Sequence, residues 1–117
     1  MTYVDGFLLA VPKANKNSYL TLSEKIATIY KKYGALSVCE CWGDDIPEGE
    51  LNSMHSAVIR KPDEAVVFSW VTWPDKAERD KVHDKIVETM HAEFEGDPIP
   101  FDGSRMIFGG FDMILNK

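Results

Sequence analysis

The sequence predicts an α+β fold built on a four-stranded antiparallel sheet. Four segments have the pattern of strands and two that of amphipathic helices, in the order strand, helix, strand, strand, helix, strand. Two right-handed crossovers on one antiparallel sheet give a ferredoxin-like βαββαβ sandwich with the first and third strands at its centre. Because 117 residues are enough for one core, residues 1–117 are predicted to form a single domain.

The clearest strand signal is the run 65–73. It is rich in β-branched and aromatic side chains and ends at Pro74. Residues on both of its faces are largely apolar, so this strand should be covered on both sides. The first predicted strand, residues 3–11, is also apolar on both faces.

The first helix follows the polar group 13–18, which offers candidates for its N-cap. Apolar side chains then recur at steps of three and four from Tyr19 to Tyr33, which is the spacing of one helix face. Gly34 comes directly after this stripe and suits a left-handed C-cap.

The middle of the chain is less regular. Residues 35–42 form the second predicted strand, and residues 43–50 an acidic, turn-rich loop. Apolar and polar residues alternate in the segment 53–60, which we interpret as the extension of a hairpin toward the third strand.

The second helix is predicted to begin at Asp75, with Glu78 completing an Asp version of the capping box. It ends at the Gly- and Pro-rich group 96–100. The last strand is predicted over residues 105–115. It is interrupted by Gly109–Gly110, a pair that indicates a bulge or a close approach to the backbone.

Assembly follows from the faces of the sheet. Both helices lie on one face in this topology, so the other face remains apolar and uncovered. An apolar patch of that kind normally marks an interface. The prediction is a homodimer packed sheet to sheet about a two-fold axis, with an enclosed space between the sheets.

Charge and hydropathy argue against several kinds of partner. The net charge is −6 and the basic residues are scattered among acidic ones, which disfavours nucleic acid and anionic membranes. No apolar run approaches the roughly 18 residues of a membrane span, and the first residues lack a signal-peptide pattern. We therefore expect a cytoplasmic protein without nucleic-acid or membrane partners.

Four runs form distinctive motifs: YVDGF at 3–7, ECWGDDIP at 40–47, VFSW at 67–70 and PFDGSRMIFGGF at 100–111. In this order they resemble the YbaA-like family of small bacterial proteins, and the resemblance covers nearly the whole chain. It implies a dimeric α+β barrel and no particular activity, because the family is one of unknown function. More distantly, the architecture is similar to that of cofactor-independent monooxygenases, muconolactone isomerases and YCII-like proteins, although fold alone is a weak argument for function.

Polar residues occur inside otherwise apolar strands at Asp5, Glu40, Ser69 and Arg105. Strand parity allows all four to share a face, where Arg105 would pair with Asp5 or Glu40 because a buried charge needs a partner. One interpretation is a structural ion pair that fixes the strand register. The other is the polar floor of a pocket, with a carboxylate as proton acceptor and Arg105 binding an anionic or enolate oxygen.

The motif Trp42-Gly43-Asp44-Asp45 offers two carboxylates beside an indole at a strand end. They could serve acid–base chemistry, bind a cation or form a pocket rim. The alternative is Asx-type hydrogen bonding that shapes the turn, since side chains of adjacent residues diverge.

Histidine and cysteine spacings do not indicate a metal motif. Of the three histidines, only His55 is kept as a possible pocket base. Cys39 and Cys41 are two apart on a predicted strand and so share a face. They are interpreted as small apolar thiols of the core, with a metal pair or redox site as the alternative.

Together these patterns predict a homodimer that binds a small organic molecule between its sheets. If it is an enzyme, proton transfer or cofactor-independent oxygenation fits best, because no cofactor motif is visible. The predicted catalytic residues are Asp5, Arg105 and His55, and the predicted substrate-binding residues are Trp42, Asp44, Asp45, Ser69 and Trp70. The competing hypothesis is a non-catalytic sensor, regulatory or interaction module whose polar residues only order the sheet.

Overall fold

A computed structural model describes every residue from Met1 to Lys117. The strands are β1 (Tyr3–Pro12), β2 (Ser37–Trp42), β3 (Glu64–Trp73) and β4 (Ile107–Asp112). The helices are α1 (Lys16–Lys32), α2 (Met54–Ala57) and α3 (Lys76–Phe94), with short 3₁₀ turns at Lys13–Asn15 and Gly103–Arg105. None of the helices combines the length and the hydropathy that a membrane span requires.

The four strands form one antiparallel sheet in the order β2-β3-β1-β4. The inner strands are β1 and β3, as predicted, and they pair along their whole length from Tyr3↔Trp73 to Pro12↔Glu64. The outer strands β2 and β4 are shorter. Each inner strand is therefore flanked on both sides, and its alternating side chains supply both faces of the sheet.

One face of the sheet carries the two long helices, and we call it the helix-bearing face. Its main cluster joins Tyr3, Val71 and Trp73 of the inner strands to Ile29 of α1 and Ile86 of α3. A second cluster packs Leu9, Val11 and Val67 against Tyr19 of α1. The odd-numbered residues of β1 and β3 thus form the core.

The opposite face has no long helix, and we call it the open face. One end of it is covered by the segment between β2 and β3, whose fully buried Val58 packs against Ala10 and Val66. The remainder is exposed to solvent, and it includes Phe68. The predicted apolar, uncovered face is therefore present only in part, because the segment that contains α2 covers one end of it.

The segment 53–60 does not extend a hairpin, and that prediction was wrong. It contains the short helix α2, which begins with a reciprocal capping box between Ser53 and Ser56. The Ser53 hydroxyl accepts a hydrogen bond from the Ser56 amide, and the Ser56 hydroxyl accepts one from the Ser53 amide. Two amides are satisfied locally in this way, so the segment does not need a neighbouring strand.

The predicted C-terminal end of α1 and N-terminal end of α3 are observed, but the Glu78 side chain pairs with Lys81 and does not complete the capping box. Gly34 follows α1 with φ of 105°, the left-handed conformation that favours glycine. The carboxylate of Asp75 accepts a hydrogen bond from the Glu78 amide at 2.8 Å and so caps α3. Strand β4 is shorter than the predicted 105–115, because Asp102 caps a 3₁₀ turn that ends at Arg105.

The glycine pair of β4 marks a close approach and not a bulge, since its pairing with β1 is regular. The buried Tyr3 side chain lies over Gly110, where an added Cβ would be 2.1 Å from the Tyr3 Oη. At Gly109 the nearest atom to an added Cβ is 3.7 Å away.

We expect Gly110→Ala to lower the free energy of unfolding by about 1–3 kcal/mol, because Tyr3 would have to leave its packed position. Gly109→Ala is the matched control on the same strand and should change stability far less. Denaturant unfolding of the two variants measures the difference. Equal losses at both positions would contradict the packing of Tyr3 over Gly110.

Candidate functional site

The uncovered part of the open face forms a broad concavity of about 720 Å³. Most of its floor belongs to the open face of β1, β3 and β4, whereas Phe7, Phe108 and Asp112 pair in the register of the helix-bearing face and border it. Met54 of α2 and Met113 also line it. The lining residues are Val4, Gly6, Phe7, Leu8, Met54, Phe68, Trp70, Thr72, Ile107, Phe108, Gly109, Phe111, Asp112 and Met113.

This concavity is almost entirely apolar. The rings of Phe68 and Trp70 lie side by side on its floor with centroids 5.4 Å apart. The polar side chain of the floor is Thr72, whose hydroxyl lies 2.5 Å from the hydroxyl of Ser37. The one charged residue of the lining is Asp112, at the end of β4. The arrangement suits an uncharged organic molecule better than an ion.

Trp70 is the predicted site residue that lines the concavity. The other predicted residues lie elsewhere, and the structure does not gather them into one site. Successive residues of a strand point to opposite faces, so Ser69 points away from the face that Trp70 occupies. In the strand pairing, Asp5 and Trp42 share the face of Ser69, which is the helix-bearing face.

Asp5 is held by an ion pair that the sequence did not reveal. The Arg79 Nη2 of α3 donates to Asp5 Oδ1 at 2.8 Å, and the Trp73 Nε1 donates to Asp5 Oδ2 at 3.0 Å. The same guanidinium lies 5.3 Å from the centroid of the Tyr3 ring. Burial and the negative charge of Asp5 together raise the pKa of Tyr30 to about 12. This network ties α3 to the inner strands.

Arg105 pairs with neither Asp5 nor Glu40, so the predicted pairing was wrong. It belongs to the 3₁₀ turn before β4, and its Nη1 and Nη2 donate to the Glu64 carboxylate at 2.6 and 2.7 Å. Its Nη1 also donates to the Ile59 carbonyl at 2.8 Å. Glu64 is buried, and hydrogen bonding from Arg105 lowers its pKa to about 2. These bonds fasten the segment before β3 to the turn before β4.

His55 lies in α2, where its Nε2 donates to the Ile46 carbonyl at 3.1 Å. The imidazole therefore links α2, and with it the Met54 wall, to the preceding loop. Its Nδ1 is buried and has no hydrogen-bond partner. Glu48 is the nearest carboxylate, at 3.7 Å from Nε2.

Asp44 and Asp45 are exposed in the loop after β2, and their side chains form no hydrogen bond or ion pair. Asx-type bonding therefore does not shape this turn. The turn is shaped by Gly43, whose amide donates a hydrogen bond to the Val66 carbonyl at 2.7 Å. A Cβ added to Gly43 would lie 2.6 Å from that oxygen, so the turn requires glycine. Asx-type bonding is present instead at Asp102, whose carboxylate accepts a hydrogen bond from the Ser104 amide at 3.0 Å.

The thiols of Cys39 and Cys41 share a face, as predicted, but not that of the core. They lie on the open face of the outer strand β2, opposite Trp70 and Phe68, and both are free. Neither is buried. The interpretation as core thiols was wrong, because β2 is an edge strand and its open side has no cover.

A polar cluster on the helix-bearing face joins Tyr19, Glu40 and Ser69. The Tyr19 hydroxyl donates to the Glu40 Oε1, and the buried Ser69 stands directly opposite Glu40 on β3. Desolvation raises the pKa of Glu40, and the hydrogen bond from Tyr19 only partly offsets this effect. Burial, together with Glu40, also raises the pKa of Tyr19.

Tyr19 was predicted as part of the apolar stripe of the first helix, and its hydrogen bond to Glu40 was not predicted. Its position in the first turn of α1 was the available signal, because a long side chain there can reach a neighbouring strand. No sequence pattern indicated the contact of Arg79 with Asp5, since Arg79 resembles any charged residue on the surface of a helix.

The chain matches the model of a family described as "Protein of unknown function (DUF1428)" over residues 2–103. It is 41% identical over 117 residues to the uncharacterized protein YbaA of Escherichia coli (strain K12), covering all of both chains. The proteins of the same name from Escherichia coli O157:H7 and Shigella flexneri match it equally. The resemblance noted in the sequence is thereby confirmed, and the chain belongs to the YbaA-like DUF1428 family of proteins of unknown function.

Proposed function

We propose that the chain forms a homodimer through its open faces and binds a small, uncharged organic molecule in the space that the two faces enclose. Each subunit would then be a ferredoxin-like sandwich, and the pair a dimeric α+β barrel. The strand order with β1 and β3 at the centre supports this topology. The packing of α1 and α3 on one face supports it too.

The observation that carries the proposal is the exposure of large apolar side chains on and around the open face. Phe68, Ile107 and Phe111 are 46%, 47% and 60% exposed. A patch of this kind is costly in water and typical of an interface. A two-fold axis would set the face against its own copy, so each exposed ring would find apolar partners without a second kind of chain.

The ligand follows from the lining of the concavity. Its volume of about 720 Å³ lies within the range of small-molecule sites. Phe68 and Trp70 offer flat apolar surface, and the hydroxyls of Ser37 and Thr72 offer one point for hydrogen bonding. No carboxylate, imidazole or guanidinium lies on the floor to act as an acid or base. Binding is therefore the function that this concavity supports best, with Trp70 as a contact residue.

The fluorescence of the neutral dye Nile red tests the binding site. We expect the dye to bind saturably to the wild-type dimer, with enhanced emission in the apolar concavity. Met54→Trp extends a wall residue into the space and should weaken binding by about tenfold, a loss of about 1.4 kcal/mol.

Leu51→Trp provides the matched control, because Leu51 is fully exposed and does not line the concavity. It should bind the dye like the wild type. Equal affinities in Met54→Trp and the wild type would contradict the proposed site.

A further inference from the structure

We propose that a cavity between the two long helices binds a small primary amine with an apolar body. This interhelical cavity measures about 580 Å³, within the range of small-molecule sites. Its walls are apolar side chains of α1, of α3 and of the segment after α3: Leu22, Ile26, Met90, Phe94, Ile99 and Phe101. It shares no residue with the concavity of the open face, so this site goes beyond the proposed function and does not depend on it.

The helix walls have the sequence pattern of a core but are not fully covered. Ile86 of α3 is buried, and Met90 and Phe94 follow it at steps of four on the same side of the helix. Leu22 and Ile26 form a matching pair on α1. All four are only partly buried. Their remaining apolar surface is therefore available to a ligand, which would gain free energy by covering it.

The third wall, the segment 96–101, is fastened to both helices. The Asp97 amide donates to the Phe94 carbonyl at the end of α3, at 3.0 Å. The Asn15 Nδ2, directly before α1, donates to the Pro100 carbonyl at 3.0 Å. The cavity is thus formed before a ligand arrives, so binding need not order a loose segment.

The solvent-exposed end of the cavity is negative. Helix α3 ends there, and the carboxyl end of a helix carries partial negative charge. The carbonyls of Ala92 and Glu93, in its last turn, accept no backbone hydrogen bond. Glu95 adds a carboxylate to the lining and His91 an imidazole, whereas no lysine or arginine belongs to it.

The ligand class follows from this combination. An ammonium group carries one positive charge and three N–H donors, which match the free carbonyls and the carboxylate. An apolar body attached to it would cover the half-buried walls. A carboxylate in the same position would meet only negative charge.

Equilibrium dialysis with 1-naphthylmethylamine, an ammonium ion at neutral pH, tests the site. We expect saturable binding of one molecule per chain at low ionic strength, where screening is weak. The amine should bind about tenfold more tightly than 1-naphthoate, which has the same rings and the opposite charge. No saturable binding, or equal affinity for the two compounds, would overturn the proposal.

Two pairs of variants locate the binding. Ala92→Trp fills the cavity from an exposed position and should abolish binding of the amine, whereas Ala77→Trp, an equally exposed site in the first turn of α3, should not. Glu95→Gln should weaken binding of the amine by about fivefold. Glu88→Gln, an exposed residue of α3 outside the lining, should leave it unchanged. Binding that survives Ala92→Trp, or equal losses in Glu95→Gln and Glu88→Gln, would also contradict the site.

Discussion

Phe68→Asp is expected to convert the proposed dimer into monomers and to raise its dissociation constant by at least about 100-fold. Phe68 projects from the middle strands of the open face and is 46% exposed in the single chain. In the proposed dimer its replacement would bury a carboxylate without a partner, at a cost of about 3 kcal/mol or more. Sedimentation velocity over a dilution series measures the constant, and each tenfold change corresponds to about 1.4 kcal/mol.

Leu20→Asp is the matched control for this experiment. Leu20 is an apolar residue of α1 with 52% exposure, and it lies away from the open face. The control variant should stay dimeric at every concentration at which the wild type is dimeric. Dissociation of both variants, or of neither, would show that the open face is not the contact surface.

Arg79→Met is expected to lower the free energy of unfolding by about 2–3 kcal/mol. The change leaves the carboxylate of Asp5, 12% exposed, without its cation in the core. Breaking a fully buried pair costs about 3–5 kcal/mol, and the partial exposure of Arg79 reduces that figure. The melting temperature should fall by roughly 10 °C, which differential scanning calorimetry can measure.

Two further variants separate the lost pairing from other effects. Lys81→Met removes an ion pair of the same helix, with Glu78 at 2.9 Å, but both side chains are exposed, so no measurable change is expected. The double variant Asp5→Asn with Arg79→Met should recover part of the loss, because the neutral amide no longer needs a cation. A double variant less stable than Arg79→Met alone would contradict the ion pair as the cause.

The strands and long helices were predictable because their hydrophobic periods are strong. The two-residue alternation of β1 and β3 and the stripe of α1 lead directly to the observed elements. The segment 53–60 was ambiguous, since Met54, Ser56 and Val58 alternate as a strand would. The capping box of Ser53 and Ser56 decided in favour of a helix, and such a local hydrogen-bond pattern outweighs a short alternation.

The site was less predictable, because its contacts join distant parts of the chain. Strand parity correctly allowed Asp5, Glu40 and Ser69 to share a face, but parity does not say which face the helices cover. The partner of Asp5 is Arg79, 74 positions along the chain. Arg105 lies one turn before β4, so its side chain follows the geometry of the turn and not that of the strand. Neither the position of Arg79 nor that of Arg105 can be recognised from a hydrophobic period in the sequence.

The mass of the wild-type particle at micromolar concentration tests the central claim most directly. Sedimentation equilibrium should return twice the 13.2 kDa of the chain, because in the proposed dimer the open face of one subunit covers that of the other. A single species of 13.2 kDa would contradict the proposed dimer and the enclosed binding site that depends on it.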